Sequence, residues 1–70
     1  MSFIPTSVQL LNAVKSNNAN EVEKVIINSD SRKELIKDHI KEHGKDILIR
    51  LLPHFKSKGL VLNIKSLLNI

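Results

Sequence analysis

Seventy residues without a cysteine allow one hydrophobic core and exclude disulfide or thiolate-metal staples, close to the lower size at which a core suffices alone. Apolar residues make up 41% of the chain, nearly all Leu, Ile and Val, and Phe3 and Phe55 are the only aromatics, so any binding surface must be aliphatic or charged. The formal charge of +4 belongs to the last third: the seven acids lie between Glu21 and Asp46 and are matched by the basic residues up to Lys45, whereas Arg50, Lys56, Lys58 and Lys65 follow with no acid among them.

The opening Met1-Ser2-Phe3-Ile4-Pro5 has neither the basic start nor the apolar run of a signal peptide. No stretch approaches the roughly 20 apolar residues of a membrane span. The expected location is the cytoplasm, or export by a route that leaves no such signature.

Thr6 followed by Gln9 has capping-box spacing, and Pro5 stops a helix from extending upstream. Leu10, Leu11 and Val14, which Val8 can join, then form one apolar stripe. Asn17-Asn18 ends it, because Asn tolerates the left-handed conformation that helix C-termini often need. The second helix can be capped by Asn18 with Glu21, or by Asn20 with Glu23, and turns Val22, Val25 and Ile26 inward with Ile27 at the margin. Asn28-Ser29-Asp30-Ser31 reads as a loop, and Ser31 with Glu34 repeats the capping-box spacing.

The third helix, 32–43, carries Leu35, Ile36 and Ile40 on one side and alternating charges on the other, and Gly44 terminates it. The fourth, about 46–52, has only Arg50 polar among Ile47, Leu48, Ile49, Leu51 and Leu52. A helix so apolar all round is expected at the centre of the molecule, with a buried strand as the rival reading. Pro53 ends or bends it. Residues 54–59 read as a basic connector, and 60–70 as a last helix on the stripe Leu60, Ile64, Leu67 and Leu68, with an edge strand over 59–64 as its rival.

Leu10, Val14, Val22, Val25 and Ile26 recur in order as Ile36, Ile40, Leu48, Leu51 and Leu52, 26 residues on. Each copy is an apolar stripe, a polar break and a second stripe, the pattern of a helical hairpin. The expected fold is therefore all-α: four or five short helices as stacked hairpins or a small orthogonal bundle, in one domain over 1–70. The hairpins span 6–28 and 32–55 and the C-terminal helix 60–70. Leu10, Val14, Val22, Ile36, Ile40, Leu48 and Leu51 are expected among the most buried positions.

The run from Leu10-Leu11-Asn12-Ala13-Val14 through Asn17-Asn18 to Glu21-Val22-Glu23-Lys24-Val25-Ile26 resembles the two helices of an ankyrin repeat, above all an N-terminal capping repeat. Residues 36–52 are similar to a second copy, at a shorter period than the roughly 33 residues of that family. The resemblance covers about half the chain. It implies a helical-hairpin stack that binds protein, and it carries no functional residue over to this chain.

His39-Ile40-Lys41-Glu42-His43 matches H-x-x-E-H, in which two histidines one turn apart hold zinc and the glutamate activates water. His39 and His43 are thus the candidate metal ligands, with His54 or Asp46 as a third. The simpler reading, two solvated positions on a charged helix face, is preferred because so small a chain offers little of a walled cleft. No metal, cofactor or catalytic residue is expected. The chain has no Gly-rich phosphate loop and no nucleophile next to a base.

The function expected is a small non-enzymatic interaction module, with Leu60, Ile64, Leu67 and Leu68 facing a protein partner or a second copy of the chain. The alternative is phosphate contact with nucleic acid through Arg50, Lys56, Lys58 and Lys65. A helix-turn-helix with its turn at Gly44 is excluded, since its recognition helix would present Ile47, Leu48, Ile49, Leu51 and Leu52 instead of polar side chains.

Overall fold

In the computed structural model, which describes residues 3–70, five α-helices follow one another: α1 (Thr6–Lys15), α2 (Ala19–Ile27), α3 (Arg32–His43), α4 (Asp46–Leu51) and α5 (Lys58–Leu68). A 3-10 turn at Leu52–His54 joins the last two, and no strand occurs among the described residues. Both strand rivals, over α4 and over the start of α5, therefore fall away.

Helix ends follow local chemistry closely. The α1 terminus has Asn17 in the left-handed region at φ 53°. The Asn17 N–H donates to the Val14 carbonyl and the Asn18 N–H to that of Ala13, which together make a Schellman closure. Asn69, at φ 60°, closes α5 in the same way, with Ile70 donating to Lys65 and Asn69 to Ser66. Asn18 then caps α2, its side-chain oxygen accepting from the Glu21 N–H at 3.2 Å. Gly44 ends α3 at φ 85°. A Cβ there would meet nothing within 4 Å, so the backbone angle, not space, calls for glycine.

Two expected capping boxes do not form. Pro5, fixed in an extended conformation, is itself the residue before α1, so Thr6 lies inside the helix and its hydroxyl makes no capping bond. Gln9 still reaches back, but to the Ile4 carbonyl at 2.7 Å. Ser31 makes no side-chain cap either; its N–H donates to Ser29 Oγ, and Arg32 donates to the Ile27 carbonyl at 2.8 Å, closing the end of α2. The α5 cap lies within the expected connector: Ser57 Oγ accepts from the Leu60 N–H, and the helix starts at Lys58.

One core joins all five helices: Leu10, Ala13 and Val14 from α1, Val22, Val25 and Ile26 from α2, Ile36 from α3, Leu48 and Leu51 from α4, and Leu60, Ile64 and Leu68 from α5. Leu52 and Phe55 complete it from the turn. Ile40 is only half-buried and packs at the margin.

The centre is not α4. The closest packing is between α1 and α2, α1 and α3, α2 and α3, and α3 and α5, so the hub is α3, the most heavily charged helix. Length limits α4: its six residues extend about 9 Å, half the roughly 18 Å of the twelve-residue α3. Ile49 of α4 consequently stays exposed. The second hairpin differs from the first in the same respect, because α3 packs more closely on α5 than on α4.

Candidate functional site

The α5 stripe does not form a free surface. Leu60, Ile64 and Leu68 are buried in the chain's own core and Leu67 is half-buried against it. This corrects the expectation that they face a partner: with α3 packed along α5, the apolar stripe is covered from within. What α5 leaves outside is Leu62, 67% exposed, and the terminal Ile70.

Further uncovered apolar side chains lie at the other end of the chain. Phe3 is 85% exposed, Ile4 49% and Val8 40%. Val8 and the half-buried Leu11, three residues apart, share one side of α1, and Ile4 lies in the segment just before the helix. That spacing is legible in the sequence. Val8 does not join the core stripe of Leu10 and Val14 and stays exposed.

Arg50, Lys56, Lys58 and Lys65 are all exposed. Among the described residues the single contact within 4 Å between a basic side chain and a carboxylate is His43 with Glu42, at 3.7 Å, so no lysine or arginine has a carboxylate that near. Lys56 and Lys58 flank the start of α5, whose first turn holds no acid.

His39 and His43 share one face of α3, with ring centroids 5.2 Å apart. They line a cleft of about 170 Å³ with Leu35, Asp38 and Glu42, closed from α1 by Ser7. His43 is exposed but His39 is only 5% exposed, which corrects the expectation of two solvated rings. The cause is the hub position of α3, whose His39 position is covered by neighbouring helices. Its Nδ1 is sealed from solvent and has no hydrogen-bond partner. Burial, and then the neighbouring His43, push the His39 pKa below the ordinary imidazole value; Glu42 pulls weakly the other way.

These residues suit a metal poorly. A ligating histidine usually donates its second ring N–H to an acceptor, which the sealed Nδ1 lacks. His54 lies at the end of the 3-10 turn and Asp46 at the start of α4, and among the described residues no group of three or more His, Asp or Glu side chains converges on one point. His39 and His43 therefore remain a pair of imidazoles in a polar cleft.

The buried polar residue that sequence reasoning misses is Glu23. It is 8% exposed on α2, and its carboxylate accepts from the Lys56 N–H at 2.7 Å and the Ser57 N–H at 3.0 Å. Two amides that would otherwise be unpaired ahead of α5 are thereby held from a different helix. Nothing local announces this bond, since its partners lie 33 and 34 residues away.

No helix among the described residues is long and apolar enough to cross a membrane. No known protein family, curated protein or solved structure matches the chain.

Proposed function

We propose that the chain is a small non-enzymatic interaction module that docks a protein partner, or a second copy of itself, through an aliphatic helical surface. The observation that carries this reading is the exposure of three apolar side chains, Phe3 and Ile4 just before α1 and Val8 within it, with no charged residue among positions 3–11. Covering such surface is favourable by about 25 cal/mol per Å². Sedimentation velocity across a concentration series, with a photo-crosslinker at Val8 in cell extract, tests it. Val8→Asp should abolish association or crosslinking while helical circular dichroism is retained. A monomer that yields no crosslinked protein at position 8 would overturn the reading.

A second reading, contact with nucleic-acid phosphates, draws on the exposed and unpaired Arg50, Lys56, Lys58 and Lys65. Four such contacts give a log–log salt slope of about −3 to −4 for duplex DNA. Replacing Lys56 and Lys58 together by Gln should remove about half of it. Negligible binding at low salt would end this alternative.

A further inference from the structure

Among the described residues two polar side chains are buried, and only one has hydrogen-bond partners. Glu23 is bonded to two amides, while His39 keeps a sealed, unbonded Nδ1. A neutral imidazole tolerates this with its proton on Nε2, because the sealed nitrogen is then an unused lone pair. An imidazolium does not. Both nitrogens carry protons, so an N–H must be sealed without an acceptor and a charge placed against the core.

The surroundings offer little compensation. His43 is a second imidazole 5.2 Å away, whose positive form repels that of His39. Glu42, the carboxylate that favours the charged ring, lies 3.7 Å from His43 and is shared with it. Asp38 lines the cleft as well. From α1 the lining is Ser7, and no charged side chain of α1 (Lys15), α2 (Glu21, Glu23, Lys24) or α5 (Lys58, Lys65) lines it.

We infer that His39 is a proton-operated latch on the seam between α1 and α3, closed while the ring is neutral and released at the Ser7 end when the ring takes a second proton. This goes beyond the interaction reading and does not depend on it. The depressed pKa of the buried ring sets the direction. Between the folded and unfolded values the unfolded chain binds more protons, so stability rises with pH. The latch's contribution is complete above the unfolded value of about 6.5 and is lost as pH falls toward the folded value.

The test is an NMR titration of the His39 Cε1–H in the native chain, run beside native-state hydrogen exchange of the α1 amides from pH 7.5 to 5, corrected for intrinsic exchange. The ring should titrate below the ordinary imidazole value. The α1 opening constant should rise with acid by up to about tenfold per pH unit, the ceiling for one proton. His39→Leu should flatten that rise, whereas His54→Gln, outside the cleft, should keep it. An ordinary titration of His39, or equal acid sensitivity in native and His39→Leu chains, would overturn the latch. Should His39→Leu fail to fold, the titration of the native ring decides alone.

Discussion

Glu23 and His39 are buried to nearly the same degree, on neighbouring helices, yet they do opposite things to the fold. Glu23 accepts two backbone N–H groups and ties the start of α5 to α2. His39 sits on the hub helix with one nitrogen unsatisfied. Burial alone therefore says little about whether a polar group strengthens a small domain; the number of partners it finds decides the sign. With no disulfide and one core, this chain concentrates long-range polar fixing in a single carboxylate, and concentrates its weakness one helix away.

Breaking the satisfied side of that contrast should have the largest effect. Glu23→Ala removes two charge-assisted bonds and leaves two amides without acceptors, a loss of about 3 kcal/mol. In a domain of this size each kcal/mol lowers Tm by about 4–8 °C, so thermal unfolding followed by circular dichroism should shift by well over 10 °C or show no folded baseline. Glu23→Gln retains an acceptor oxygen and should lose about half as much. If Glu23→Ala melts within a few degrees of the native chain, the α2–α5 tie is not a structural element.

On the orphaned side the sign reverses. His39→Leu replaces an unsatisfied polar ring by an apolar group of similar size, which is expected to be neutral or stabilising by about 1 kcal/mol at neutral pH. Urea titration checks it, and a loss above 1 kcal/mol would mean that Nδ1 has a partner in solution. The same variant should also remove stability changes between pH 7.5 and 5.5, because it deletes the buried group held below its ordinary pKa.

The smallest effects compare two local caps. Ser57→Ala removes an observed bond to the Leu60 N–H and should cost about 1 kcal/mol. Thr6→Ala removes a hydroxyl with no capping bond and should change stability by less than about 0.5 kcal/mol. Equal losses in the two would show that the Ser57 bond has no weight beside the Glu23 clamp it adjoins.

Much of the architecture is legible in the residues themselves. Asn17, Asn18, Gly44 and Pro53 each end, cap or bend a helix for reasons contained within a few residues, and each does so in the fold. The all-α class and the inward stripes of α1 and α2 follow from spacing in the same way. The candidate surfaces are less legible. Spacing marks the α5 stripe as an apolar face, and reading it as partner-facing fails because spacing does not identify what covers a face. Phe55 joins the core from a segment that reads as a connector, for the same reason.

Sequence by itself determined the all-α class, the helix ends at Asn17, Gly44 and Pro53, and which side of each helix is apolar, because those properties rest on bonds and angles within about one turn. Tertiary structure decided the rest. It made the charged α3 the hub, packed closely against α1, α2 and α5. It drew Leu60, Ile64 and Leu68 inside and left Phe3, Ile4 and Val8 outside. It gave Glu23 partners more than thirty residues away and gave the His39 Nδ1 none. Each of these outcomes depends on which element lies opposite, and no pattern within one element carries that information.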